Sequence, residues 1–435
     1  MKTIAFHTLG CKVNQYDTQA MLELFRAAGY TPVPFQQDAD IYLINTCTVT
    51  GTGDKKSMQL LHRVQREHPE SAIILCGCLA QRRGEELLLP GVRLVLGTQR
   101  RAEVVQLLEQ ALREDRQICA VEGMSPGSPF ERLNIADQEE RTRATLKIQE
   151  GCRNHCTYCI IPSVRGPIRS RPLEDIRSEC TRLASAGYRE LVLTGIHLAS
   201  YGRERKDGTS LLDAIRVAQE TEGIARIRLG SLEPIIATPA FTTELAHMDK
   251  VCPQFHLALQ SGSRTVLQRM ARQYNPDQYL AAVENLRNVF PHAAFTTDIL
   301  TGFPGETDAE YEETREMIRR VGFAKIHVFP YSRRSGTKAD KMPGQLTTAQ
   351  KEQRARELIA LGAETAEAYR QSWLGQTAEV LLEEPEGNFW VGYTPEYLRV
   401  SVPDCPACHQ GAQLPVRLTE LHGEGLLGEI ENAQE

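Results

Sequence analysis

The chain has 435 residues, 41% of them hydrophobic, and a formal net charge of −6: enough apolar material for two or three cores, and too acidic to coat nucleic acid by bulk charge. No apolar run approaches the ~20 residues of a membrane helix, and the run Ile4 to Phe6 passes straight into His7 and a polar segment, unlike a secretory leader. Twelve cysteines in such a chain read as metal ligands or catalytic thiols in a reducing cytoplasm, not as disulfides.

The N-terminal region alternates short apolar runs with amphipathic stretches, the pattern of a parallel sheet flanked by helices. Strands are expected at Thr3 to Thr8, Ile41 to Asn45, Ala72 to Cys76 and Val92 to Leu96, and helices at Asp17 to Ala28, Lys55 to Glu67, Leu79 to Leu88 and Arg101 to Arg113. The stretch Glu122 to Arg143, rich in Gly, Pro, Ser and charge, breaks this alternation as a linker does. Beyond it the pattern resumes, with strands expected at Leu146 to Gln149, Leu191 to Thr194, Ile227 to Gly230, His256 to Gln260, Phe295 to Ile299 and Ile326 to Phe329. Six such units predict a partial (β/α) barrel, whose chemistry lies at the strand C-terminal ends. A helix from Thr348 to Ser372 follows. Short strands at Val380 to Leu382, Trp390 to Tyr393, Leu398 to Val402 and Leu414 to Leu418 then predict a small antiparallel β-barrel or sandwich.

Cys152, Cys156 and Cys159 fall in GCRNHCTYC, one loop after an expected strand. A 4Fe–4S cluster is ordinarily held by four cysteines, so a triplet leaves one iron open. An open iron is what radical S-adenosylmethionine (SAM) chemistry needs, since the methionine amino and carboxylate groups of SAM chelate it. Zinc would want a fourth protein ligand, and His155 stands at no usual zinc spacing. Cys11 in LGCKVN, Cys47 in INTC and Cys78 in GCLAQ are far apart in sequence, yet each follows an expected parallel strand. Ligands gather beyond the carboxyl ends of such strands, so a second three-cysteine cluster is expected, with Gly10 and Gly77 letting backbone approach sulfide; the alternative is three buried core thiols. Cys76 shares strand alternation with Cys78, but Cys78 is preferred as the loop residue. Cys119, Cys180 and Cys252 read as ordinary thiols. Cys405 and Cys408, beside His409, form a CxxC with no second pair, and a local turn is the default.

These motifs, together with CIIPSVRG, LALQSGS, TTDILTGFPGE and a terminal β region, resemble the methylthiotransferase family of radical-SAM enzymes over nearly the whole chain. TLGCKVNQYDTQ and GYTPEYLRV resemble the branch that modifies threonylcarbamoyladenosine in tRNA. The resemblance implies an α/β chain: an N-terminal open parallel α/β sheet domain (1–118), a linker (119–142), a central partial (β/α)6 radical-SAM barrel (143–371) and a C-terminal TRAM-like β-barrel (372–435). It further implies transfer of a methylthio group to C2 of adenosine 37 by a cytoplasmic enzyme with two 4Fe–4S clusters and SAM, one cluster on Cys152, Cys156 and Cys159 and an auxiliary one on Cys11, Cys47 and Cys78. One SAM would methylate sulfur at the auxiliary cluster; a second would yield the 5′-deoxyadenosyl radical. The implied partners are tRNA carrying threonylcarbamoyladenosine, an electron donor such as a flavodoxin or ferredoxin, and a sulfur source, with no membrane.

By strand-end position, Tyr158, Thr194, Gly195, Ser231, Glu233, Gln260, Asp298 and the turn GFPGE are candidates to hold SAM, each with the alternative of a turn residue or a satisfied polar group. Arg165, Arg169 and Arg171 follow the triplet, and Arg333, Arg334, Lys338 and Lys341 form a second basic group; both are candidates for tRNA phosphate or a substrate carboxylate, or else ordinary ion-pair partners. From residue 372 on there are two Arg, no Lys and eleven Asp plus Glu, so that region offers shape or the aromatics Phe389, Trp390 and Tyr393 to RNA, not charge. The rival readings are the same chemistry on isopentenyladenosine tRNA or on a ribosomal protein, and, from another class, an iron–sulfur electron carrier or an RNA-binding sensor.

Overall fold

Parallel strands are buried on both faces and therefore read as continuous apolar runs, which is why most strands of this chain are visible in its sequence. The computed structural model describes residues 2–133, 135 and 142–431. Its first sheet is wholly parallel: β1 (Thr3–Thr8), β2 (Thr31–Val33), β3 (Ile41–Thr46), β4 (Ala72–Gly77), β5 (Val92–Leu96) and β6 (Ile118–Ala120), in the order β2-β1-β3-β4-β5-β6. The two edge strands, three residues each, were not expected, being too short to show a period. Because β6 reaches residue 120, the sheet runs past the expected boundary at 118. Separate apolar cores cover its two faces, one around Met21, Phe25 and Leu108, the other around Tyr42, Leu61 and Leu79.

The segment expected as a linker is partly anchored: Leu133 and Ile135 are buried in the next core, and Tyr16 donates to the Leu133 carbonyl at 2.7 Å. Residues 134 and 136–141 of that segment, and 432–435 of the tail, lie outside the described residues.

The middle region has six parallel strands in sequence order: β7 (Arg143–Glu150), β9 (Glu190–Gly195), β10 (Arg226–Leu229), β11 (Gln254–His256), β12 (Ala294–Thr301) and β13 (Lys325–Pro330). Isolated parallel bridges Ile227 to Val251 and Leu232 to Leu257 join β10 to β11, and the short antiparallel β8 (Arg169–Ser170) pairs with β7. This is the expected open (β/α)6 barrel. One strand is displaced: β11 ends at His256, where His256 to Gln260 was expected, and Gln260 instead adopts a positive φ of 65°. That conformation is uncommon for a side-chain-bearing residue and places Gln260 at the strand end.

A helix, Thr348–Gln371, packs on β13 and leads to a closed five-stranded barrel of β14 (Thr377–Glu386), β15 (Phe389–Tyr393), β16 (Arg399–Pro403), β17 (Gln413–His422) and β18 (Gly425–Ile430) in the order β14-β15-β16-β18-β17. The fifth strand closes it by running parallel to β16, and was missed because Gly425 and Gly428 read as turn residues. This barrel docks on the N-terminal half of the neighbouring strands: Arg226 donates to the Tyr393 and Glu379 carbonyls at 2.8 Å, Arg228 to the Pro395 carbonyl at 2.8 Å, and Arg143 pairs with Glu383 at 2.7 Å.

A candidate two-cluster site between the first two domains

The three N-terminal cysteines meet beyond the sheet's carboxyl edge. Cys11 caps the N-terminus of the helix Lys12–Ala27, and Cys47 follows β3. Cys78 lies not in a loop, as expected, but at the first position of the short helix Cys78–Arg83. Gly10 and Gly77 have φ of 107° and 90°. A Cβ on Gly10 would come within 3.1 Å of the Cys47 sulfur, and one on Gly77 would run into the Asn45 amide oxygen and within 2.6 Å of the Thr46 carbonyl. Gly77→Ala should therefore cost about 2–3 kcal/mol, measured by denaturant unfolding, and disorder the Cys78 turn; unchanged stability would contradict this packing.

Asparagines that sequence reasoning passed over knit the three cysteine segments together. Asn14 donates to the Leu9 carbonyl at 2.7 Å and the Thr46 carbonyl at 3.1 Å, while Asn45 donates to the Asn14 carbonyl at 2.9 Å and Thr18 at 3.0 Å. Thr46 accepts from the Ala80 N–H at 3.2 Å, tying the Cys78 helix to the Cys47 strand. Burial pushes the Cys78 thiol up to about 11, against the pull of Arg165, whose Nε donates to the sulfur at 3.2 Å. Burial likewise raises Cys47, with Cys11 adding to the effect and the Val49 N–H opposing it. Cys76 turns into the core instead, its sulfur 3.8 Å from the Ile44 carbonyl.

The second triplet occupies the loop after β7. Gln149 shapes it, donating to the carbonyls of Glu150 and Gly151 at 2.8 Å and accepting the His197 N–H at 2.7 Å. Each sulfur has an N–H donor: Asn154 N to Cys152 at 3.3 Å, Ile161 N to Cys159 at 3.4 Å, and Arg272 to Cys156 at 3.2 Å. Burial pushes Cys152 up to about 11 and Cys159 up to about 12, so these thiols ionise at neutral pH only with a metal to displace the proton. Three partly or fully buried sulfurs, each met by a donor, fit a cluster's thiolates, whose potential such hydrogen bonds help to set. Among the described residues no three His, Cys, Asp or Glu side chains close on a single ion, and a cluster does not require it, since each cysteine grips its own iron.

Around this triplet the expected SAM residues divide. Glu233 is buried and bonded to His197 at 2.9 Å, Asn154 at 2.9 Å and Arg272 at 3.1 Å. Burial would raise its carboxyl, but His197 and Arg272 hold it below the usual range. The buried Nδ1 of His197 has no partner among the described residues, an atom left for a ligand. Thr194 is buried and Gly195 abuts the Gln149 side chain, where a Cβ would come within 2.8 Å. Ser231 is exposed, and Tyr158 meets Phe303 edge-on at 6.4 Å. Asp298 lies deeper, 3.4 Å from His256. His197, Asn154 and Arg272 were not anticipated; the order RNHC placed Asn154 between the cysteines, but nothing near Arg272 in sequence marks it.

The basic residues need correction. Arg165 and Arg171 are 0% and 1% exposed and are internal ion-pair partners, out of reach of an RNA backbone. Arg165 bonds Glu150 at 2.9 Å, Asp17 at 3.2 Å and Asn14, while Arg171 pairs with Glu179 and receives no phosphate-facing aspect, its Nη1 lying 3.0 Å from the Tyr16 hydroxyl. Arg169 is buried against Met124 at 3.5 Å. Arg334 is buried too, bound to Asp54 at 2.6 Å and to Thr48, and so clamps the Cys47 segment onto the barrel; Arg82 reaches the same Asp54 at 3.2 Å. Arg333, Lys338 and Lys341 are exposed.

The helix Ile161–Arg165 brings the two triplets together, since Ile160 and Val164 pack directly on Cys78. A cavity of about 600 Å³ opens at the meeting of the three domains, lined in part by Lys12, Gln15, Arg143, Thr145, Trp390 and Tyr397. Tyr393 stacks on Tyr397 at 4.7 Å under Arg143, Trp390 bonds Asp404 at 3.0 Å, and Phe389 meets His422 at 5.9 Å. In the terminal barrel the Cys405 and Cys408 sulfurs are 2.9 Å apart with no third ligand among the described residues. Replacing both with Ser should leave iron content and transfer rate unchanged, and a fall in either would give this pair a metal role.

Residues 3–97 match the model described as "Uncharacterized protein family UPF0004" and residues 146–318 the radical SAM superfamily model. The threonylcarbamoyladenosine tRNA methylthiotransferase MtaB of Bacillus subtilis is 42% identical over 92% of this chain and 90% of its own. That of Thermotoga maritima is 35% identical over 88% and 87%, and the tRNA-2-methylthio-N(6)-dimethylallyladenosine synthase of Moorella thermoacetica 37% over 88% of each chain. Among solved structures, the radical SAM methyltransferase TsrM of Kitasatospora setae shares the fold, with a TM-score of 0.56 at 13% identity over 78% of this chain and 77% of that one. No helix among the described residues is long and apolar enough to cross a membrane. The chain belongs to the radical-SAM tRNA methylthiotransferase family, enzymes that work with SAM and 4Fe–4S clusters.

Proposed function

We propose that this enzyme transfers a methylthio group to C2 of N6-threonylcarbamoyladenosine at position 37 of tRNA, in the cytoplasm. Cys152, Cys156 and Cys159 hold the SAM-binding cluster, and Cys11, Cys47 and Cys78 the auxiliary one. The carrying observation is the contact between the triplets: Ile160 and Val164 on Cys78, with Arg165 bonded to the Cys78 sulfur from the neighbouring domain. One substrate carbon can then serve both clusters. The threonylcarbamoyladenosine tRNA methylthiotransferases of Bacillus subtilis and Thermotoga maritima, similar to this chain over most of its length, support the acceptor.

When bound, SAM supplies the methyl group and the hydrogen-abstracting radical, and the auxiliary cluster the sulfur. This chain's residues do the holding. Arg272 and Arg165 each donate to one thiolate, countering the clusters' negative charge. Glu233, kept ionised, offers a carboxylate to the SAM ammonium beside Thr194, Gly195, Ser231 and Gln260, and Tyr158 borders the adenine. An electron donor such as a flavodoxin or ferredoxin and a sulfur source complete the reaction.

The exposed Lys55, Lys56, Arg153, Arg333, Lys338 and Lys341, which follow the Cys47 segment, the second triplet's first cysteine or the end of β13 in the chain, take the tRNA phosphates, since the acidic terminal barrel does not supply the charge. Lys338→Ala with Lys341→Ala should lower tRNA affinity and reduce the salt slope by about 1–2, read by titration at several salt concentrations; an unchanged slope would remove them from the interface. The function itself is tested by incubating the reduced enzyme with SAM and tRNA bearing threonylcarbamoyladenosine or isopentenyladenosine and digesting the RNA for mass analysis. A methylthio gain on the first nucleoside is expected; a gain on the second alone would give the chain the acceptor of the Moorella relative.

A further inference from the structure

One inner face of the barrel is left polar and open. Along β11, β12 and β13 the register sets His256 beside Thr296, Thr296 beside Lys325, and Asp298 beside His327. The opposite face is filled: Phe255, Phe295 and Ile299 belong to the core, and the helix Thr348–Gln371 lies so near β13 that a Cβ on Gly362 would collide with Ile326. On the inner face Lys325, His327 and Phe329 are exposed, and His256, Thr296 and Asp298 partly so. Their polar atoms form one set. His256 Nδ1 is 3.0 Å from Thr296 Oγ1, its Nε2 is 3.4 Å from the Asp298 carboxylate, and the His256 and His327 rings are 6.1 Å apart.

Barrel interiors are usually packed with branched apolar side chains. Here two imidazoles, an ammonium and a carboxylate face the space instead. Asp298 and His327 lie three residues, about 10 Å, before the strand ends at Thr301 and Pro330, with Lys325 two residues further down at the start of β13, and Gln260 tops the face, its N–H donating to the Asp298 carbonyl at 2.9 Å. The cysteine loop after β7 sits at the mouth of this same barrel, the Thr157 carbonyl accepting the Ala339 N–H at 2.8 Å, so an adenosine presented there has this face beneath it.

We propose that this face selects the N6 substituent, with Lys325 and His327 pairing with its carboxylate and Asp298 and Thr296 taking its hydroxyl and urea N–H groups. The inference rests on the threonylcarbamoyladenosine reading and assigns Asp298 to substrate instead of SAM. Charge complementarity favours this occupant: an isopentenyl group would cover Lys325 and His327 without giving them a counter-charge, the kind of mismatch by which such sites reject analogues.

The test uses the full reconstituted enzyme and an anticodon stem-loop carrying threonylcarbamoyladenosine, its threonyl methyl ester, or isopentenyladenosine. KM and kcat for methylthio transfer and the Kd for SAM are measured for the unaltered chain, Lys325→Met and His327→Leu. Esterification should raise KM about 10-fold or more in the unaltered enzyme; Lys325→Met should raise KM for the acid similarly, change that for the ester little, and leave SAM binding intact. Equal KM for acid and ester, which needs no variant, would overturn the proposal, as would a Lys325→Met defect confined to SAM. If the enzyme modifies only the isopentenyl RNA, the functional reading has failed as well; acid modified with no preference over ester sinks this inference alone.

Discussion

Alanine at Cys156 should abolish both 5′-deoxyadenosine formation and methylthio transfer, whereas alanine at Cys78 should abolish transfer and leave SAM cleavage largely standing. The asymmetry follows from the division of the site. Cys156 belongs to the triplet beside Glu233, Arg272 and His197, the site proposed for SAM, and Cys78 to the triplet across the domain boundary. Both losses should exceed about 1,000-fold, because the step concerned has no other route once its cofactor is displaced. Quantifying 5′-deoxyadenosine and the modified nucleoside in the same reaction separates the two. Loss of SAM cleavage in the Cys78 variant, with the second triplet still loaded with iron, would contradict this division.

The second large effect concerns the ionic network that joins the domains. Asp17 of the first domain is bound by Arg101, Lys147 and Arg165, and Glu150 by Arg165 at 2.9 Å and Lys147 at 3.2 Å, all with side chains at most 3% exposed. Removing Lys147 takes one buried cation from both acids, which keep only their arginine partners, and breaking such buried pairs costs about 3–5 kcal/mol. Lys147→Met should show that loss in denaturant unfolding and loosen the first domain from the barrel; an unaltered transition would mean that the network relaxes or hydrates freely. The pH dependence has a defined sign. Burial opposes ionisation of both acids, yet the surrounding cations hold their folded pKa below the ordinary values of 3.8 and 4.5. Their contribution is therefore complete above the ordinary carboxylate range and lost as pH falls below it, through the folded values. Lys147→Met should flatten that acid limb.

The same network shows where sequence reading stops. Arg165 and Arg171, close behind a cysteine motif, look like ligands for phosphate, because nothing local reveals that Asp17 and Asn14 will meet the first and Tyr16 the second. Buried pairing across well over a hundred residues leaves no periodic trace. The strands do leave one: β3 and β4 are buried at all six positions, and their apolar runs end where Cys47 and Cys78 begin. Strand-end logic thus located both triplets in the sequence. It could not tell that Cys78 starts a helix, that Cys76 turns inward, or that Arg272 donates to Cys156, since each depends on local φ or on a distant loop. The inner barrel face was half legible. Alternation in TTDILT marks Thr296 and Asp298 as sharing a side, but only the register of β11 and β13 brings His256 and His327 to them.

The central claim is that two triplets hold two clusters in one chain, and iron and sulfide content after anaerobic reconstitution tests it most directly. The account predicts about eight irons and eight sulfides per chain, falling to about four when either Cys11, Cys47 and Cys78 or Cys152, Cys156 and Cys159 are replaced together. About four irons in the unaltered chain, insensitive to replacing the N-terminal three, would contradict it and leave the auxiliary site without a cluster.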